Sequence, residues 1–388
     1  MRTLLAVSAT MLAVLLATGI ARGAGQIDKE MIDATLSGFI QSRALVGVSA
    51  LVYQNGQEAY FGAFGQADRE AGRPMRRDTL VQIMSTTKPI TGVALMTLYE
   101  ADKFQLDDPV SKYLPEFANL HVYAGKDHTP VGEIYRAGDP TSKTNTLAEE
   151  ARKLASLPLL FQPGTRWLYG ASVDVQAYLV ERLSGMPFDK YLEKTIFKPL
   201  GMKDTRYVLR AQDHARMAAL YQRHEDRTLS REPDDTALEF NNRDWPMKPG
   251  SFGLVSTLDD YMRFARMLQN GGELDGKRIL QSETVRLMAT DAMPADVGDT
   301  SWLLTDKGQV GFGIDFAVRI RPPANARENS GEVGEFFWDG ADDTLFWVDP
   351  KNKITAVLFT QYRPFGKVPL HKAFRDAVCG GVPEALAH

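Results

Sequence analysis

Strand-like segments stand at the two ends of this chain and helical ones fill its middle, which restricts the possible folds more than any other feature. Val46 to Tyr53 reads as a strand, Gln54-Asn55-Gly56 as a hairpin turn, and Glu58 to Gly65 as the returning strand. Asn-Gly suits such a turn because both central residues need positive φ. Towards the C-terminus, Val310 to Val318, Glu335 to Trp338, Thr344 to Val348 and Lys353 to Thr360 are strand candidates. Asp349-Pro350-Lys351-Asn352 turns between the last two. The simplest solution is an α+β fold whose antiparallel sheet draws on residues 24–84 and 250–388. Terminal helices at Ile27 to Ser42 and Pro369 to Cys379 would cover it, with Ile32, Leu36 and Phe39 of the first turned inward. A mostly helical domain, residues 85–249, is expected as an insertion, with a pocket at the junction.

Within the insertion, Asn145 to Leu157 has a helix-opening Thr146 with Glu149-Glu150 behind it. Val173 to Leu183 and Phe188 to Ile196 follow as helices, separated by Ser184-Gly185-Met186-Pro187. Asp213 to Asp244 is polar, rich in Arg and Asp and poorly periodic, which predicts a surface excursion near the pocket rim, of the kind that forms a lid. Beyond it, Ser256-Thr257-Leu258-Asp259-Asp260 caps a helix through Leu268, and Ser282 to Met288 is a shorter one.

Residues 1–23 read as a secretory signal. Arg2 gives a positive start, Leu4 to Ile20 an apolar run, and Ala21-Arg22-Gly23 a small-x-small cleavage site. An export route to periplasm or medium is therefore expected, and no later run approaches membrane-span length. Cleavage removes Arg2 and Arg22 and leaves 43 basic against 49 acidic side chains. That balance gives no electrostatic footprint for nucleic acid or an anionic membrane. Cys379 is the only cysteine, so no intramolecular disulfide is possible; in a C-terminal helix it reads as a small buried hydrophobe. Oligomeric state is not legible.

The chemistry centres on Ser85-Thr86-Thr87-Lys88, which runs into Pro89-Ile90-Thr91-Gly92-Val93 at the start of a helix. Proline is tolerated there because first-turn N–H groups have no intrahelical partner. Residues three apart share a helix side, so the Ser85 hydroxyl and the Lys88 amine reach one pocket. A desolvated lysine can be neutral enough to take the serine proton. The plainer alternative is an ordinary helix start, with Ser85 as N-cap and Lys88 solvated. Two further stretches favour the first reading. One is Gln162-Pro163-Gly164-Thr165-Arg166-Trp167-Leu168-Tyr169-Gly170-Ala171; the other is Trp338-Asp339-Gly340-Ala341.

Together these three motifs resemble the serine β-lactamase and penicillin-binding protein superfamily, and within it the family VIII carboxylesterases related to class C β-lactamases. Gly253-Leu254-Val255-Ser256-Thr257 with Asp259-Asp260-Tyr261 adds to the resemblance, which spans Ile27 to Cys379. It implies that Ser85 is the acylated nucleophile, with Lys88 and Tyr169 as its acid–base partners. The N–H groups of Ser85 and Ala341 would form the oxyanion hole, and Trp338, Asp339 and Gly340 would border the substrate. A tyrosine beside a lysine is expected to ionise more easily than in water.

The departures narrow the expected substrate. Tyr169-Gly170-Ala171 lacks the asparagine of Tyr-x-Asn, and Trp338 replaces the lysine of Lys-Thr-Gly. No class-A-type glutamate motif is recognisable. The expectation is a serine hydrolase of small neutral esters, with a β-lactamase, D-amino-acid peptidase, amidase or acyltransferase as the alternative and a silent scaffold as a third. Asp339 departs from the usual glycine and is expected to point outward, with Asp342 and Asp343 adding charge beside it. No Gly-x-Ser-x-Gly elbow is present. His121, Asp127 and His128 read as a polar loop rather than a metal site. No metal or cofactor is expected.

Overall fold

The computed structural model describes residues 27–124, 130–295, 297, 304 and 307–380. The expected leader, Asp127 and His128 lie outside the described residues. Eight strands form the main sheet: β1 Gly47–Gln54, β2 Gln57–Asp68, β3 Arg73–Pro74, β4 Val310–Phe312, β5 Ala317–Arg319, β6 Phe336–Asp339, β7 Leu345–Asp349 and β8 Ile354–Phe359. Their order is β4-β5-β6-β7-β8-β1-β2-β3, and neighbouring strands pair antiparallel. The two ends of the chain meet where β1 pairs with β8, Ser49 opposite Phe359 and Gln54 opposite Ile354. The β1–β2 turn has Asn55 at φ 52° and Gly56 at φ 76°, the conformation that Asn-Gly tolerates best.

Both faces of the sheet are covered, so β7 and β8 are buried at every residue. Successive side chains alternate between faces. Phe346 meets Tyr261 of the helix Leu258–Gln269 at 5.3 Å, and its neighbour Trp347 meets Phe374 of the helix Leu370–Cys379 at 5.3 Å. The terminal helices Lys29–Gln41 and Leu370–Cys379 thus share one face, while Leu258–Gln269 covers the other. Each large aromatic buried here contributes on the order of 2 kcal/mol through area removed from water.

Local details depart from the sequence reading. Val310 to Val318 is two strands, because Asp315 at φ 66° turns the chain between β4 and β5. Val131–Gly138 forms a helix that its sequence did not announce. Asp213 to Asp244 is only partly a solvated excursion, exposed at 224–228 and 233–236 but anchored elsewhere. Ala218, Ala219, Leu220 and Tyr221 are buried, and Tyr221–Arg223 pairs with Leu229–Arg231 and with Tyr362–Arg363. Its ion pairs tie it to the rest of the fold: Arg216 bridges Asp204 and the buried Asp213, and Arg231 bridges Asp68 and Asp234. Cys379, in turn, is exposed at the end of its helix. No helix among the described residues is long and apolar enough to cross a membrane.

Candidate active site

Ser85 stands on a tight turn, Met84–Thr86, directly before the helix Thr87–Glu100. Met84 has φ 47°, a region non-glycine side chains avoid, so the turn persists only because its surroundings hold it. Ile83 N–H donates to Leu254 O at 3.0 Å, Thr344 Oγ1 donates to Ile83 O at 3.1 Å, and Tyr261 O–H donates to Thr86 O at 2.7 Å. The helix behind it is buried on nearly every side, from Thr87 to Met96, rather than along one stripe. Ser85 itself is half-buried.

Lys88, one turn on, is 3% exposed. Its Nζ donates to Ser85 Oγ at 3.2 Å and to Ser251 O at 2.8 Å. Ser251 is fixed by Asp174, which accepts from its N–H and its Oγ, both at 2.8 Å. Burial pulls the Lys88 amine down to about 8, although Asp174, Asp315 and Asp339 oppose it through their charge. A sizeable neutral fraction at physiological pH follows.

Tyr169 completes the cluster. Its ring centre lies 4.5 Å from Lys88 Nζ, and its hydroxyl accepts from Trp338 Nε1 at 3.4 Å and is near enough to the Ser85 hydroxyl for that group to favour its ionised form. The expected easy ionisation does not occur. Burial pushes the phenol well above its usual range and outweighs those contacts, while Asp339 and Asp315 push it further. Tyr169 is therefore held in its protonated form, whereas Lys88 is eased toward its neutral one.

The third motif lies beside the nucleophile turn. A Cβ on Gly340 would come 2.5 Å from Ile83 O, 2.3 Å from Thr344 Oγ1 and 3.1 Å from Met84 Cβ. Only glycine lets the end of β6 approach this closely, and Ala341 is the next residue along. Neither the Ser85 nor the Ala341 amide donates a backbone hydrogen bond among the described residues. Gly340→Ala should push β6 off the turn and slow acylation by about tenfold or more, since one oxyanion donor is commonly worth that or greater. Pre-steady-state release of nitrophenol measures it; an unchanged burst rate would show that the close approach is dispensable.

Trp338, Asp339 and Gly340 do not border an open substrate space. All three are buried, and Trp338 backs the Tyr169 ring at 5.5 Å between centres. Asp339 points inward, not outward, because the buried Lys307 ion-pairs with it while lying 4.7 Å over the Trp338 ring. Asp342 and Asp343 are likewise internal. Asp342 pairs with Arg363, and burial pushes their carboxyls up to about 6 and about 8.

The open space beside the cluster is a cavity of about 270 Å³, lined by Lys88, Tyr169, Trp167, Phe312 and Asp315 among others. Trp167 and Phe312, 5.0 Å apart, wall it, and Phe312 meets Trp338 at 5.2 Å. Larger hollows, about 640 Å³ near Arg206 and about 680 Å³ near Arg43, contain none of the reactive groups. Asp174, Ser251, Phe312, Asp315 and Lys307 were missed in the sequence. Asp174 lies only five residues after Tyr169, yet nothing local marks it as Ser251's anchor.

A family model described as Beta-lactamase matches residues 32–378. Protein Rv1367c of Mycobacterium tuberculosis is 32% identical, covering 82% of this chain and 86% of its own length. Esterase EstB of Burkholderia gladioli is 29% identical, covering 89% and 94%. Among solved structures, EstCE1, described as a hydrolase with promiscuous acyltransferase activity, superposes with a TM-score of 0.76 at 24% identity, covering 90% of this chain and 98% of that one.

Proposed function

Because the chain belongs to the β-lactamase family and is a serine hydrolase of that superfamily, we propose that it is an exported carboxylesterase cleaving small neutral esters through an acyl-Ser85 intermediate. The observation that carries this is the buried Lys88 Nζ, 3.2 Å from Ser85 Oγ and drawn down to about 8. Neutral Lys88 takes the hydroxyl proton as Oγ attacks the ester carbonyl. The developing oxyanion is met by the Ser85 and Ala341 N–H groups at the head of the helix, where the dipole adds to their effect. The acyl C–O bond then breaks, and the leaving alkoxide receives a proton from the Tyr169 hydroxyl, which Lys88 replenishes. Water, deprotonated by the same pair, attacks the acyl-serine, and Oγ recovers its proton.

The preference for neutral esters draws on the third motif. The cation beside Trp338, Lys307, is already neutralised by Asp339, so no free ammonium is offered there to a penicillin-type carboxylate. The likeness to Esterase EstB supports the same reading. A fluorophosphonate probe should add to Ser85 by mass, and a short-chain nitrophenyl ester should turn over far faster than a chromogenic cephalosporin. No adduct would favour a silent scaffold; dominant cephalosporin turnover would reverse the substrate assignment. N-terminal sequencing of the exported protein should begin after Gly23.

A further inference from the structure

Asp315 lies on the turn between β4 and β5, only 3% exposed, with its backbone at φ 66°. Gln176, on the helix Ser172–Ser184, donates Nε2 to Asp315 Oδ1 at 3.0 Å. That bond uses one carboxylate oxygen. Asp315 Oδ2 and Gln176 Oε1 are both buried, and neither receives a hydrogen bond among the described residues. Both residues line the cavity that Lys88 and Tyr169 also line.

The fold makes room for this carboxyl at some cost. A Cβ on Gly92 would stand 2.7 Å from Asp315 Oδ2, so the nucleophile helix carries a glycine where alanine would suit a helix better. A left-handed backbone at a non-glycine residue and a carboxyl in apolar surroundings are further penalties. Burial pushes Asp315 up to about 7, with the Gln176 bond and the Lys88 charge drawing it back. None of the catalytic steps above uses Asp315. Costs that converge on one side chain with no part in the chemistry point to recognition.

We infer that this cavity selects acyl groups carrying a primary amine, with Asp315 Oδ2 and Gln176 Oε1 receiving the ammonium. The inference rests on the hydrolase reading for its reaction, not for its binding. Two unpartnered buried acceptors, on side chains already joined by the Gln176–Asp315 hydrogen bond, call for a group with at least two N–H donors. An ammonium has three, whereas a hydroxyl has one. Its charge also compensates the buried carboxylate, which a neutral amide does not. The walls of Trp167, Phe312 and Leu95 suit the methylene chain between the amine and the ester carbonyl. Hydrolysis breaks the acyl C–O bond, adds water across it and releases the amino acid and the alcohol.

The test compares nitrophenyl esters of unbranched ω-amino acids, from aminopropanoate to aminohexanoate, with methyl-terminated esters of equal heavy-atom count. At least one amino ester should be preferred in kcat/KM by about tenfold, the scale of one charge-assisted hydrogen bond. Asp315→Asn should erase most of that preference, read as the ratio of amino-ester to methyl-ester kcat/KM within each protein so that any general change in rate cancels. Gln176→Leu should weaken it as well. Absence of any amino preference, or its survival in Asp315→Asn, overturns the site. Binding is read separately by titrating the Ser85→Ala protein with butylammonium and with butanol. Butylammonium should bind about tenfold tighter, and adding Asp315→Asn should remove the difference. If no ester is hydrolysed yet this difference holds, the ester reading fails and the amine site stands; equal binding of the two probes overturns the site.

Discussion

Lys88→Met should lower kcat/KM for a nitrophenyl ester by about a hundredfold to ten-thousandfold, the usual worth of a positioned general base. Methionine nearly matches the lysine stem in volume, so packing around Ile90 and Ser251 survives the exchange. The variant should also melt no lower than the wild type, because the parent buries an amine whose charged form burial disfavours. Loss of activity with retained or raised stability separates a catalytic role from a structural one; a variant that keeps near-wild-type turnover would show that another group accepts the Ser85 proton. The pH dependence has a definite sign. With Lys88 drawn down to about 8, the free base grows as pH rises through that value, so kcat/KM should climb between about pH 6 and 8 and then level off. Tyr169 contributes no acidic limb in this range, since burial holds its phenol protonated. In Lys88→Met the rising limb should disappear.

The reactive residues were legible because each sits in a short local signal. Ser85 and Lys88 share one turn of one helix, so their spacing alone brings them together. Tyr169 and the Trp338–Ala341 stretch needed the resemblance, because the sheet and the inserted helices join them across long stretches of chain. The strands at both ends were legible from their turns, as with Asn55-Gly56, where backbone conformation follows from residue type. Groups that act through tertiary contact were not. Lys307 and Asp339 are far apart in sequence, and nothing in either segment shows that they neutralise each other. Asp339 was expected outward because charged residues mostly are, and only a buried counter-ion reverses that. The same blindness hid how Asp213 to Asp244 is tied down, with Arg216 held by Asp204 and Arg231 by Asp68. Tyr169 was misjudged for another reason. Its neighbour's charge is readable from the motif, but its burial, which dominates, comes from Trp167 and Trp338 packed about it.

Removing the carboxylate of Glu335 should destabilise the fold by about 3–5 kcal/mol, a large part of the roughly 5–15 kcal/mol that holds a folded domain. Glu335 Oε1 accepts from Arg319 Nε at 2.8 Å and from Arg375 Nη1 at 2.9 Å, and all three side chains are fully buried. Arg375 also lies 4.3 Å over Phe337 and 4.7 Å over Trp347. The carboxylate is the one anion between two guanidiniums, and it ties the C-terminal helix to β5 and to the head of β6. Glu335→Gln keeps the shape but leaves two buried cations facing each other, so the denaturant midpoint should fall sharply. Replacing all three with Met, Leu and Met should recover most of the loss, because a buried ion cluster and its apolar substitute are commonly similar in energy. A Glu335→Gln midpoint within about 1 kcal/mol of wild type would mean that the guanidiniums are compensated elsewhere. The effect should reach the chemistry too. Glu335 immediately precedes β6, and β6 delivers Ala341 to the nucleophile turn, so Glu335→Gln should slow acylation below its melting range. The triple replacement should restore both, which would link the rigidity of that strand to the oxyanion role proposed for Ala341.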